Sequence, residues 1–280
     1  QCLTSPAQTA SWTGGGGTTD WNNPLNWDLG VPAEGTNAAI GAGITVDYTN
    51  TMTAGSFAGL TLNGVLNVST NGFVLGASGN AAGSVSGSSA RLFVNDGGVM
   101  EITNGAVQFV SSAAGSVAVG GRLQATGTIN LGTSGSGNVG FLTNSGGVLT
   151  ASGLTINPNN NSASALMVIQ GGTNNLGAVR IRRAGPSSLP ALNSDGLVIN
   201  GGLVSMTSLL VNDGNSFGTM LVTGGTTTNT GSSAVGQQNA GSNRSTRFLQ
   251  TGGLFVSTAT EGIRIGVNFS SQTIVFSVTG

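Results

Sequence analysis

Gly201-Gly202-Leu203-Val204-Ser205-Met206-Thr207-Ser208-Leu209-Leu210-Val211-Asn212-Asp213-Gly214-Asn215-Ser216-Phe217-Gly218-Thr219-Met220-Leu221-Val222-Thr223 holds three short apolar runs and stops where a second glycine pair, Gly224-Gly225, begins. The runs are Leu203 to Met206, Leu209 to Val211 and Met220 to Val222, separated by Thr207-Ser208 and by the polar stretch 212–216. Short apolar runs bounded by Gly, Asn, Asp and Ser read as strands joined by turns. No helical period survives these interruptions. After Gly252-Gly253 the pattern returns as Leu254-Phe255-Val256, Ile263-Arg264-Ile265-Gly266-Val267 and Ile274-Val275-Phe276-Ser277-Val278.

The glycine pairs recur along the chain at Gly97-Gly98, Gly120-Gly121, Gly146-Gly147, Gly171-Gly172, Gly201-Gly202, Gly224-Gly225 and Gly252-Gly253, each behind a short apolar run. Counted from Gly64 to Gly280, the steps are 33, 23, 26, 25, 30, 23, 28 and 28 residues. A short period with variable insertions is the signature of a solenoid. Three strands per step predict an all-β, single-domain, parallel β-helix in which each strand pairs with its counterpart one coil above and below. At about 4.8 Å per coil, eight coils make a rod of roughly 40 Å. Gly at the corner supplies positive φ and removes the Cβ that would strike the next layer. The pairs are not read as phosphate cradles, because no Lys and no following helix accompany them. The longest steps place bulging loops at 76–80 and 184–190.

The start of the chain differs from the rest. Trp12, Trp21 and Trp27 are all of the tryptophans, set among Gly14 to Gly17, Asp20, Asn22, Asn23, Asn26 and Asp28. Large amphipathic rings suit a lid over the open end of a core, with a sugar-stacking platform as the competing reading. The expected division is therefore an N-terminal extension and Trp-rich cap over 1–32 and a β-helix of about eight to ten coils over 33–280.

Composition narrows the chemistry. Only 6% of the 280 residues are charged, with nine acids, eight Arg, no Lys and no His, far below the ~25% of an average soluble domain. A net charge of −1 argues against a nucleic-acid partner, which needs clustered cations. No apolar run approaches the ~20 residues of a membrane span. With 38% hydrophobic residues the chain can bury a core, which a disordered polymer cannot. Gln1 at the front suggests a processed, secreted chain. Cys2 is the only cysteine and is expected either as a free thiol or as a bond to another chain.

No catalytic residue, metal or cofactor is expected. Asp96 and Asp213 sit in Asn-Asp-Gly turns, Asp195 precedes Gly196, and Glu101 and Glu261 are isolated, whereas β-helix lyases gather acids for Ca²⁺ or proton transfer. Strand alternation puts Arg180 and Arg182 on one face, and Arg264 lies in a similar run. These arginines form a candidate contact for an acidic polysaccharide or another subunit, or simply a charged face that keeps a strand soluble.

The segment Trp21-Asn22-Asn23-Pro24-Leu25-Asn26-Trp27 with Val31-Pro32 and Ala39-Ile40, followed by the glycine-paired repeats, resembles secreted bacterial β-solenoid proteins of the autotransporter-passenger and PEP-CTERM-associated kind. The resemblance implies a right-handed β-helix, a cell-surface or extracellular location and no catalytic residues. The functional expectation is a structural subunit of an extracellular filament that stacks on further copies of itself by β-augmentation, through Cys2, Phe276, Val278 and Gly280 among its interface candidates. The alternative is an adhesin or carbohydrate-binding stalk, with a polysaccharide lyase or hydrolase behind both.

Overall fold

The computed structural model describes residues 7–49, 57–76, 83–132, 139–156, 165–182, 195–213, 218–237, 244–260, 262–267 and 272–279. Side chains at 212–213, 237, 244–245, 266–267 and 272–277 are left out of the description that follows. Cys2 and Gly280 lie outside the described residues, as does most of both expected loops.

Every named strand pairs with its neighbours in parallel, and the strand order skips through the sequence as a coil must. Three faces result. Face one follows the glycine pairs and begins with Phe73–Leu75 and Val99–Ile102. Face two runs from Thr9–Ser11 through Asn37–Ile40, Gly59–Leu62, Gly83–Ser86 and Val107–Val110. Face three is a ten-stranded sheet from Thr45–Tyr48 to Gln272–Val278. The chain is a parallel β-solenoid with a tryptophan cluster near its N-terminus.

The expectation of three short strands per coil needs one refinement. In four successive coils faces one and two are carried by a single long strand, Arg122–Leu131, Val148–Ile156, Thr173–Ile181 and Leu203–Asp213. The bend between the faces is a register shift between Ala125 and Thr128 in the first of these. Hydroxyls hold this second corner: Thr126 Oγ1 donates to the Thr103 carbonyl at 2.8 Å, Thr103 Oγ1 to Leu75 at 3.2 Å and Thr230 Oγ1 to Met206 at 3.4 Å. The backbone passes so close that a Cβ on Gly127 or Gly177 would lie 1.8 Å from the Gly105 or Ser152 oxygen.

Asn63-Gly64 occupies a different corner from the pairs that follow. It lies between Gly59–Leu62 on face two and Val65–Val68 on face three, where a Gly64 Cβ would meet the Ile44 and Gly41 carbonyls. The position equivalent to the pairs in that coil is Asn71-Gly72, just before Phe73–Leu75, with Gly72 at φ 86°. Counting from Gly64 therefore mixes two corners and inflates the first step.

Alternation along the strands builds the core. One inward ladder on face three reads Val46, Leu66, Leu92, Gly115, Leu142, Met167, Leu197, Met220 and Phe248. Gly115 breaks the row of large side chains because the Phe109 ring occupies its place; a Cβ there would sit 2.5 Å from Phe109 Cε1. Outward positions are not all solvated: Gly196–Ile199 and Gly218–Val222 are buried along their whole length, Val198 and Leu221 included.

Candidate functional site

The two ends of the rod differ. At the N-terminal end Thr9–Ser11 stacks in parallel on Asn37–Ile40, and Asp20 bridges in parallel to Asp47. The Trp-rich segment is thus an additional layer of the solenoid as well as its lid. The chain then turns through a short 3-10 segment, Pro24–Asn26, whose preceding Asn23 accepts the Leu25 N–H with its side chain. Trp27 returns antiparallel to Trp12, and the Asp28 N–H donates to the Ser11 carbonyl. The free edge of the first strand is covered.

Beneath this cover the rings pack mostly edge to face, with Trp21 and Phe57 tilted at 39°. Trp21 is fully buried, with Trp27 at 4.8 Å, Phe73 at 5.0 Å, Phe57 at 5.4 Å and Tyr48 at 6.2 Å between centroids. Trp12 meets Trp27 at 5.0 Å, and Trp27 Nε1 donates to the Trp21 carbonyl at 2.8 Å. Such pairs add about 0.5–1.5 kcal/mol each beyond area burial. Trp21 and Trp27 spend their faces on one another and on the core, so neither offers a platform to a sugar. Leu25 and Leu29, flanking this cover, are 70% and 57% exposed; sequence reading passed over them because isolated leucines in a polar segment carry no periodic signal.

At the other end the last coil consists of Leu254–Ser257, Ile263–Val267 and Gln272–Val278. Ile265 stacks on Val235, and Val278 continues the ladder of Val222 and Gln250. These are inward positions, yet Ile265 is 46% and Val278 57% exposed. Phe276 pairs in register with Phe248. The interior behind this end is polar, with Thr227, Asn229, Ser233 and Thr246 buried. Asn229 Nδ2 donates to Ser233 Oγ at 2.6 Å, while Asn229 Oδ1, Thr227 Oγ1 and Ser257 Oγ meet no protein partner.

The glycine pairs mark the corner between faces three and one, but the left-handed residue changes place. It is the first of the pair at Gly97, Gly120 and Gly146 and the second at Gly172, Gly202, Gly225 and Gly253. The change falls where two buried asparagines interrupt the ladders. Asn144 Oδ1 accepts the Gly146 and Gly147 N–H groups at 3.1 and 2.9 Å, and its amide donates to Asn174 Oδ1 at 2.7 Å.

Arg180 and Arg264 share one outward column, separated by Leu210 and Ala234. At three coils they stand about 14 Å apart, with no further arginine between them in the column. Arg182 lies just past the strand end, half-buried, its N–H donating to the Ile156 carbonyl at 2.7 Å. A groove lined by Thr230, Gly231, Ser232, Ala259 and Thr260 presents hydroxyls and, among the described residues, no acid. Among the described residues no group of three His, Cys, Asp or Glu side chains could hold a metal ion, and no helix is long and apolar enough to cross a membrane.

Comparison with family models, with curated proteins and with solved structures gives no match for this chain. Its class rests on the fold alone: a parallel β-solenoid with a tryptophan cluster near its N-terminus.

Proposed function

We propose that the chain is a structural subunit of an extracellular or cell-surface filament, assembling end to end through its solenoid. The observation that carries this reading is the parallel stacking of strand on strand along both sheets, an architecture that a further copy extends by β-augmentation. A strand at the edge of a parallel stack presents N–H and C=O groups that template a further strand. Low charge and a surface of Ser, Thr, Asn and Gly favour self-association. The proposed contact joins unlike surfaces, since the N-terminal edge is covered by the Trp27 segment. Negative-stain electron microscopy of the purified chain tests the reading: uniform unbranched fibres one solenoid wide are expected, and a monodisperse monomer at high concentration overturns it.

A further inference from the structure

Four Asn-Gly steps occur in the chain, Asn63-Gly64, Asn71-Gly72, Asn104-Gly105 and Asn200-Gly201. Glycine has no Cβ to shield its own nitrogen, so in each step that nitrogen can approach the side-chain carbonyl carbon of the preceding asparagine. In covalent terms the four are alike. The solenoid makes them different.

Three of the four are held. Asn200 Oδ1 accepts the Thr223 hydroxyl at 2.8 Å, which ties its side-chain carbonyl to the next coil. Asn63 is half-buried and its peptide is boxed in, since a Cβ on Gly64 would lie 2.4 Å from the Ile44 oxygen and 2.5 Å from that of Gly41. Asn71 is exposed but has an interaction partner. Asn104-Gly105 lies in the bend between Val99–Ile102 and Val107–Val110, with Asn104 exposed and Gly105 at φ 96°. The residues on either side are anchored: the Thr103 N–H donates to the Leu75 carbonyl at 2.9 Å, and the Ala106 carbonyl accepts the Gly83 N–H at 3.0 Å. Among the described residues, nothing hydrogen-bonds to the Asn104 side chain or to the Gly105 N–H.

We infer that Asn104 is a site of spontaneous modification, deamidating through a cyclic imide formed with Gly105. The Gly105 nitrogen attacks Asn104 Cγ, the N–Cγ bond forming as the Cγ–Nδ2 bond breaks, and ammonia leaves with the proton of the Gly105 N–H. Water then opens the ring at either carbonyl, giving aspartate or, with the main chain rerouted through the side chain, isoaspartate. Nothing is oxidised or reduced, and the reaction does not depend on whether copies assemble. Its product is felt by the next coil. Isoaspartate adds a methylene to the main chain beside the Gly105 oxygen, which would lie 1.8 Å from a Cβ on Gly127, and beside the Thr103 carbonyl that accepts Thr126 Oγ1. Either product adds a negative charge to a chain whose net charge is −1.

Peptide mapping by mass spectrometry, on the folded chain held at mildly alkaline pH, tests the assignment. Asn104 is expected to deamidate about tenfold faster than Asn63, Asn71 or Asn200, a barrier difference of about 1.4 kcal/mol, with isoaspartate at 104 detected by an isoaspartyl methyltransferase. In urea the four steps are expected to react at similar rates. Similar rates in the folded chain, or a faster reaction at another step, overturn the assignment. Thr223→Val supplies a second test by releasing the Asn200 carbonyl. Deamidation at Asn200 is then expected to accelerate severalfold with Asn104 unchanged, and an unchanged Asn200 rate overturns the protection ascribed to that hydrogen bond. Aged chain is expected to exchange the amides of 122–131 faster than fresh chain or an equally aged Asn104→Gln variant; equal exchange in all three overturns the effect on the next coil.

Discussion

Asn144 donates its amide hydrogen to Asn174 Oδ1 at 2.7 Å, joining side chains thirty residues apart inside a mostly apolar core. Asn174 passes the connection on, donating to the Gly171 and Leu203 carbonyls, each at 3.2 Å. The pair sits at the point where the left-handed residue of the corner moves from the first glycine to the second. Removing Asn144 therefore strands the Gly146 and Gly147 N–H groups along with Asn174. We expect Asn144→Ala to destabilise the coils around it by about 2–4 kcal/mol, each buried group left unpaired costing about 1–3. A double-mutant cycle with Asn174→Ala by urea denaturation should show coupling above about 0.5 kcal/mol; additive losses would mean that the two amides act separately.

Within the Gly171-Gly172 pair the two residues should respond oppositely to alanine. A Cβ on Gly171 meets nothing nearer than 3.5 Å, whereas on Gly172 it would lie 2.0 Å from the Gly147 oxygen at a φ of 73°. Gly171→Ala is expected to change stability by less than about 1 kcal/mol, with any gain coming from a stiffer unfolded chain. Gly172→Ala should cost more than about 2 kcal/mol through strain and clash together. Thermal unfolding of the two variants compares them directly, and equal midpoints would show that the corner relaxes.

The cap offers a contrast between two tryptophans. Trp27 Nε1 satisfies the Trp21 carbonyl, while Trp21 Nε1 has no acceptor. Both lose volume on replacement by Phe, but Trp27→Phe also leaves a carbonyl unpaired and Trp21→Phe relieves an unpaired N–H. Trp27→Phe should be the more damaging by about 1 kcal/mol, read by hydrogen exchange at residues 37–48. The reverse order would place the cap's strength in ring volume alone.

Thr227 lies in a ladder between Val204 and Phe255, fully buried, its hydroxyl unpaired among protein groups. Valine has nearly the same shape and nothing to desolvate. Thr227→Val should stabilise the last coils by about 1 kcal/mol, seen as slower exchange at amides of 226–229. Faster exchange would show that the hydroxyl is hydrogen-bonded, as it would be to a buried water.

The solenoid was legible in the sequence because its corners are chemically marked. Gly224-Gly225 and its kin announce one corner per coil, and runs such as Leu203 to Met206 announce strands between corners. The other corners are quieter. The bend at Thr126-Gly127 is made by a hydroxyl reaching the coil below, and threonine in a strand carries no turn signal. At Gly64 an identical dipeptide logic marks a different corner, so counting glycines alone misassigns it. Asn144, Asn174, Thr227 and Asn229 read in sequence as breaks in an apolar run, yet they are interior; only stacking against a neighbour far along the chain shows that a polar side chain there is part of the core. The end surfaces were least legible. Alternation gave an outward face to Arg180 and a similar run to Arg264, but their shared column needs the register of the coils between them. The burial of Trp21 and the exposure of Leu25 depend on how the cap folds over the first strand.

The exchange of roles between the two glycines divides the repeat into two cassettes with different joints. The first glycine of the pair is left-handed at Gly97, Gly120 and Gly146 and the second at Gly172, Gly202, Gly225 and Gly253. Lengthening the rod is then a question of splicing: a coil copied from within one cassette brings matching joints on both sides, and one carried across the seam does not. Asn144 and Asn174 are the adaptor that lets the two gauges meet in one rod.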